Sequence, residues 1–194
     1  MSFTIYRSNE AELIQACIRR ERDAQKRLYE LYSPVMYPVC CRYVKNSMEA
    51  EDVLVMAFTK ILNKIDQFKG DGSPEGWMKR IVINEALAHI RSQRSMVVVT
   101  DLEEGELAIQ EDDEFSRLEE EDLINLIGQL PAGYRSVFNL FAIDGYSHKE
   151  IAKKLNISEN TSKSQLSRAR VFLQKLIIKS EEISKPKQHD TTTG

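Results

Sequence analysis

The sequence predicts an all-α protein built as two small helical domains. Three observations carry that prediction. Eight glycines and five prolines in 194 residues are too few turn-formers for a β fold. Apolar residues recur at i, i+3, i+4 and i+7 in segment after segment, the period of an amphipathic helix. The charge is also divided along the chain. Residues 1–97 hold 15 basic and 12 acidic side chains, residues 98–122 hold Arg117 against 12 acids, and residues 123–194 hold 11 basic and six acidic. Two mildly basic blocks thus flank a segment of net −11, within a chain of net −3. Like charges at that density repel and keep a chain extended. The organisation expected is a first domain over 1–96, an acidic flexible linker over 97–114, a second domain over 115–180 and a disordered tail over 181–194.

In the first block, Asn9 with Glu12 suits a capping box, and Leu13, Ile14, Cys17 and Ile18 follow at helical spacing. A second helix is predicted from Asp23 to Tyr32. Ser33-Pro34 reads as a new cap and first turn, and Pro38 as a bend or late start for the stretch to Val44. Ser47 reads as the cap of the next helix, with Glu49, Glu51 and Asp52 favouring its positive end. Ala50, Val53, Leu54, Ala57, Phe58, Ile61, Leu62 and Ile65 keep the helical period over four turns. Phe68-Lys69-Gly70-Asp71-Gly72 breaks the pattern, and Ser73-Pro74 restarts it. The helix that follows should turn Trp77, Ile81, Val82, Ala86, Leu87 and Ile90 inward. Its other face would carry Lys79, Arg80, Asn84, His89, Arg91 and Arg94. Trp77, Phe58, Tyr134 and Phe138 are read as packing residues, although an exposed Trp77 can stack a base.

In the second block, Leu118, Leu123, Leu126, Ile127 and Leu130 fit a helix from Phe115 to Leu130, ended by Pro131. Another runs from Tyr134 to Ile143, closed by Gly145. Ser147 and Glu150 have capping-box spacing ahead of a short helix, Lys149 to Leu155. His148 is placed in that first turn rather than in catalysis. Asn156-Ile157 makes a tight turn, and Ser158 caps a long helix to about Ile178. A short helix with Ala152 at the crossing, an apolar plug at Ile157 and a polar outer face on the second helix are the marks of a helix-turn-helix. That outer face holds Thr161, Lys163, Ser164, Ser167 and Arg168. Such a helix fits the major groove, where Arg and Lys bond guanine O6 and N7. Lys153, Lys154, Arg170 and Lys175 are suited to phosphates.

Other classes fit poorly. The longest apolar run, Val53–Phe58, is six residues, against the roughly 20 of a membrane span. The first residues lack the apolar stretch of a signal peptide. Cys17, Cys40 and Cys41 have neither disulfide nor zinc spacing, which fits a reducing cytoplasm. There is no P-loop, no dinucleotide fingerprint and no catalytic triad signature, so neither an enzyme nor a cofactor, metal or small-molecule substrate is expected.

Three stretches together resemble the sigma-70 family in its small extracytoplasmic-function (ECF) form, which keeps only regions 2 and 4. AEDVLVMAFTKIL (50–62) resembles the region 2.2 helix. FKGDGSPEGWMKRIVINEALAHIRSQRS (68–95) resembles regions 2.3 and 2.4. LPAGYRSVFNLFAIDGYSHKEIAKKLNISENTSKSQLSRAR (130–170) resembles region 4. The resemblance implies a factor that binds bacterial core RNA polymerase at the β′ clamp and β flap and directs it to promoter DNA. It implies −35 reading by Thr161, Lys163, Ser164, Gln165, Ser167, Arg168 and Arg170. Capture of the melted −10 strand would fall to Gly70, Asp71, Gly72, Ser73, Lys79, Arg80, Asn84 and Arg91. Small loop residues let backbone donors approach an unstacked base, and the cations hold single-strand phosphates. Polymerase docking would fall to Asp52, Val55, Met56, Thr59 and Leu62.

The sequence departs from the family at three places. The family usually has Gln-Glu where this chain has Val55-Met56, so docking is either more apolar or altered in affinity. An apolar pair outside a helix also points to a covering partner such as an anti-sigma domain. Ser162 replaces the usual Val, an expected loosening of packing, and Gln165 replaces a common Arg. The main rival reading is a stand-alone helix-turn-helix regulator that binds a palindromic duplex without polymerase. A protein-binding helical adaptor, with no salt-dependent DNA association, is the third.

Overall fold

The computed structural model describes residues 2–94 and 120–184. They fall into two separate compact units, the division lying near residue 101. The acidic linker at 97–114, the helix start at 115–119 and the tail beyond Ser184 lie outside the described residues. Every regular element among the described residues is helical.

The first unit holds α1 (Ser2–Ile18), α2 (Arg22–Tyr43), α3 (Ser47–Asn63), a 3₁₀ turn (Ile65–Gln67) and α4 (Pro74–Arg94). α2, α3 and α4 pack against one another pairwise, and α1 lies on α2. Leu28, Met36, Tyr43, Val53, Ala57, Ile61, Met78, Val82, Ile83 and Ala86 form the buried centre.

Three sequence expectations change here. Asn9 lies inside α1 and does not begin it. The break at Ser33-Pro34 does not occur: α2 is continuous through Pro34 and Pro38. A proline lacks only its own N–H and crowds one carbonyl a turn earlier. Pro34 and Pro38 are four residues apart and exposed, on the side opposite Leu28, Tyr32, Met36, Val39 and Tyr43. The carbonyls they free can therefore bond water, and the buried stripe stays intact. Between α1 and α2, Arg20 takes φ +62. Its N–H donates to the Cys17 carbonyl at 2.9 Å and that of Glu21 to the Ala16 carbonyl at 3.1 Å, the paired bonds that close a helix. Finally, Asn46 and not Ser47 caps α3, its Oδ1 accepting from the Met48 N–H at 2.9 Å.

The second unit holds α5 (Glu120–Gln129), α6 (Ala132–Phe138), a π turn (Asn139–Ile143), α7 (His148–Leu155) and α8 (Glu159–Ser184). α8 is the spine against which α5, α6 and α7 pack. Ile127, Leu130, Val137, Leu140, Ile151, Leu166, Ala169 and Leu173 fill the space between them. The helix expected over Tyr134–Ile143 widens at Asn139, where the Asp144 N–H reaches back five residues to the Asn139 carbonyl at 2.9 Å. Gly145, at φ +73, then turns the chain so that the Tyr146 N–H donates to the Leu140 carbonyl at 2.8 Å. α8 runs on to Ser184, past Ile178, where the sequence had placed its end.

Candidate nucleic-acid interface

In the second unit the helix-turn-helix is built by local hydrogen bonds. Ser147 starts α7 through a complete capping box. Its Oγ and backbone N–H donate to Glu150 Oε2 at 2.7 and 2.9 Å, and the Glu150 N–H returns to Ser147 Oγ at 3.4 Å. These bonds hold the Glu150 carboxyl below its ordinary range, with Lys154 and Lys153 adding to the effect. Asn156 closes α7 in the left-handed region, φ +54, a conformation Asn tolerates better than other side chains. The Ile157 N–H then donates to the Ala152 carbonyl at 3.1 Å. Ile157 and Ala152 are half-buried at the corner. Ser158 starts α8, its Oγ accepting from the Thr161 N–H at 2.9 Å.

The seven side chains assigned to −35 reading divide into two sets on α8. Lys163, Ser164 and Arg168 are exposed, and Ser167 is half-buried beside them. With 3.6 residues per turn, these four fall on the face opposite Ser162, Leu166, Ala169 and Leu173. Thr161, Gln165 and Arg170 sit half-buried on the flanks. Thr161 is committed to the cap, its Oγ1 sharing a 2.8 Å hydrogen bond with Ser158 Oγ. Among the cations assigned to phosphates, Lys153 and Lys175 are exposed, and Lys154 stands over the Tyr146 ring at 4.7 Å.

In the first unit, Gly70 and Gly72 carry the loop between Phe68 and α4 at φ +80 and +92, with open space where side chains would stand. The backbone of this loop is therefore accessible to a ligand. Gly70, Asp71, Gly72 and Ser73 are all exposed. Ser73 ends the loop as the cap of α4, its Oγ accepting from the Gly76 N–H at 3.0 Å. Trp77 is half-buried at the first turn of α4 and tilts against Phe68, ring centroids 5.7 Å apart, a packing role at the edge of the core. Met78 and Ile83, both 1% exposed, lie deeper. Phe58, by contrast, is buried and meets Tyr29 edge-on at 4.8 Å, and Phe138 is buried too.

Beyond Trp77, the exposed residues Arg80, Asn84 and Arg91 lie within about 40° of one another around α4 and span roughly 16 Å. Lys79 is half-buried to one side. Glu85 lies on the packed side of α4 and is held by an ion pair to Lys60 of α3. His89 and Glu49 make a second α4–α3 contact at 3.3 Å.

The third surface is the outer face of α3. Asp52, Val55, Met56 and Thr59 are exposed, and Leu62 is half-buried. Val55 and Met56 are 55% and 52% exposed, unusual for apolar side chains in the middle of a well-packed helix. Met48 belongs with them and was missed from sequence, where the apolar stripe was counted only from Ala50. It is 72% exposed, seven residues before Val55 and fourteen before Leu62. The heptad spacing of Met48, Val55 and Leu62 was the available signal: it places all three along one line of the helix.

Among the described residues no cluster of His, Cys, Asp and Glu is suited to a metal, and no helix is long and apolar enough to cross a membrane. The three cysteines are free thiols. Burial pushes Cys40 up to about 12, with Cys41 adding to the shift, so it is a packing residue and not a nucleophile.

A helix-turn-helix with a polar reading face, joined in one chain to a helical unit with a basic stripe and an exposed glycine loop, defines a two-part DNA-binding transcription protein. The comparisons with known proteins are specific. The family model for sigma-70 region 2 matches residues 28–96, and that for sigma-70 region 4 matches 120–173. The ECF RNA polymerase sigma factor SigW of Bacillus subtilis is 30% identical over 168 residues, covering 80% of this chain and 89% of that protein. The RNA polymerase sigma-H factor of Pseudomonas aeruginosa is 29% identical over 179 residues, covering 84% and 93%. Among solved structures, the sigma factor RpoE in complex with the anti-sigma factor NepR from Bartonella quintana matches at 25% identity and a TM-score of 0.49. It covers 78% of this chain and 95% of that one. The chain belongs to the sigma-70 family, in its ECF group, whose members are initiation factors and not enzymes.

Proposed function

We propose that this ECF sigma factor binds core RNA polymerase through the outer face of α3 and brings it to promoters with the two DNA-facing surfaces. The observation that carries the reading is the presence, in one chain, of both region matches with their polar surfaces exposed. Residues 1–96 form the docking and −10 unit, and residues 115–180 the −35 unit. On α8, Lys163, Ser164, Ser167 and Arg168 read the −35 duplex, with Arg168 and Lys163 suited to guanine edges. Arg170 and Gln165, on the flanks, contact the backbone. In the first unit, Asp71 and Ser73 with the Gly70 and Gly72 backbone receive an unstacked −10 base. Arg80, Asn84 and Arg91 hold the strand that follows, and Lys79 supports them. Trp77, half-buried beside the loop, keeps part of its ring open as a stacking surface.

The exposed strip of Met48, Val55, Met56 and Leu62, edged by Asp52 and Thr59, makes the polymerase contact more apolar than the family's usual Gln-Glu pair. Such a strip gains from burial and needs a cover when the protein is free, the place for an anti-sigma partner. The site of action is the cytoplasm, with polymerase.

The test is a titration against core polymerase followed by transcription from genomic fragments with the reconstituted holoenzyme. Saturable binding and selected start sites support the reading. Tight binding of the protein alone to a palindromic duplex, without binding to core, would establish the stand-alone regulator instead.

A further inference from the structure

The sequence singles out Ser162 as a departure that should loosen the helix-turn-helix. The structure shows the reverse arrangement. Ser162 is completely buried, and its Oγ lies 2.9 Å from His148 Nδ1 on the neighbouring helix. The imidazole is confined on several sides. Its backbone is fixed by the capping box at Ser147. One face stacks on Phe141 of the π turn, centroids 4.5 Å apart and planes 21° from parallel. A polar pair has therefore taken the place of an apolar contact at the crossing of α7 and α8.

The chemistry of that exchange differs from packing. Apolar contacts are non-directional, so two helices joined only by them can rotate slightly at small cost. A hydrogen bond weakens steeply when its angle or length departs from a narrow range. A buried polar group left unpaired is costly, so the pair resists displacement in both directions. Ser162 sits between Thr161 and Lys163, at the start of the reading helix. Any rotation of α8 at Ser162 moves Lys163, Ser164, Ser167 and Arg168 across the groove.

We propose that His148 and Ser162 form a positioning pair that sets the rotation of α8, and hence the register in which the −35 element is read, without touching DNA. The proposal rests on the reading of α8 as the recognition helix. Several groups around the ring favour its neutral form. Burial comes first, then the Lys163 and Arg170 charges on α8, opposed by Glu159 on the same helix; together they hold His148 below its ordinary 6.5. The bond to Ser162 is consequently made by a neutral imidazole at pH 7, with the tautomer set by whichever partner donates.

The test uses the reconstituted holoenzyme on a promoter recovered from genomic fragments, paired with the same promoter carrying a scrambled −35 element. The readout is the ratio of the two transcription rates, with core binding and thermal midpoint measured alongside. Ser162→Ala and His148→Phe remove the bond while keeping the volume of the serine site and the stack on Phe141, respectively. Each should lower the ratio by roughly fivefold, the effect of one net hydrogen bond, with core binding unchanged. His148→Asn places an amide near the Nδ1 position and should restore most of the ratio. Arg168→Ala is run in parallel. If Arg168→Ala lowers the ratio and Ser162→Ala does not, the positioning role is wrong although the helix assignment stands. If neither lowers it, the proposal falls together with that assignment. If Ser162→Ala lowers the thermal midpoint and both transcription rates equally, or if His148→Asn fails to restore the ratio, the pair is structural only.

Discussion

At the scale of single residues, the proposed reading of α8 separates specificity from support. Lys163, Ser164 and Arg168 are exposed on the face proposed to read the −35 element, whereas Thr161 is spent on the cap with Ser158. Arg168→Ala should therefore cost about 1–3 kcal/mol of discrimination at one −35 base pair. Core binding should stay unchanged. Transcription competition between matched and mismatched templates measures this, and equal use of both by the unmutated protein would refute it. Thr161→Val should act instead on stability, by about 1 kcal/mol or less, since it removes a cap contact and not a base contact. His148 gives a pH signature. Its proton affinity is lowered on folding, so the folded unit binds fewer protons than the unfolded chain. The stability this contributes is complete above pH 6.5 and is lost as the pH falls below it. Glu150, also depressed, loses its contribution in the same direction but at more acid pH, below 4.5. Denaturant melts from pH 7.5 to 5 should show the first loss, and His148→Asn should flatten it. A melt of the unmutated protein that strengthens below pH 6.5 would contradict this assignment.

At the scale of elements, α3 and α2 show opposite relations between pattern and outcome. The inward stripe of α3 is regular: Ala50, Val53, Leu54, Ala57, Phe58 and Ile61 are buried as the period demands, Leu62 is half-buried at its edge, and the buried Ile65 continues it into the 3₁₀ turn. What the period left over, Met48, Val55 and Met56, is the exposed strip. Val55→Ala and Met48→Ala should each weaken core binding by roughly 1 kcal/mol, with helix content unchanged because neither is packed. Fluorescence anisotropy against core polymerase reads the loss, and unchanged affinity in the double variant would move the docking surface elsewhere. In α2 the prolines mislead because a sequence shows the missing donor but not which side of the helix it faces. At the turn between α7 and α8 the pattern is legible again. Asn156→Gly should be close to neutral, and Asn156→Val should destabilise by about 1–2 kcal/mol, because a β-branched side chain is strained at positive φ. Thermal melts of the two variants settle the comparison.

At the scale of the whole molecule, the protein is an ECF sigma factor built of two compact units, one matching region 2 and one region 4, each with its own core. Neither proposed DNA surface is extensive. The proposed reading face of α8 is four side chains, and the α4 stripe is two cations and an amide beside a loop. Duplex binding by the protein alone should therefore be weak, salt-sensitive and without sequence preference, because phosphate contacts supply affinity but not discrimination. Promoter preference should appear only with core polymerase, which holds both units on one template. A gel-shift series at two salt concentrations, with and without core, measures this. The two units were legible from charge and periodicity, because helices that bury one stripe repeat every 3.6 residues whatever they pack against. The α4 core was only partly legible. Trp77 and Ile81 are only half-buried, while Met78, Ile83 and Glu85 are buried, since packing against both α2 and α3 widens the buried arc beyond one stripe.

The sequence by itself determined what depends on neighbours along the chain. It set the helical class, the caps at Ser73, Ser147 and Ser158, the tight turn at Asn156-Ile157, and the family to which regions 2 and 4 belong. Only the tertiary structure decided what depends on residues far apart in sequence or on opposite sides of a helix. It placed the harmless prolines of α2, turned Trp77 toward Phe68, joined Lys60 to Glu85, and paired the buried Ser162 with the half-buried His148. Local hydrogen bonds and periodicity are written within a few residues, whereas burial and partnership exist only once separate helices have met.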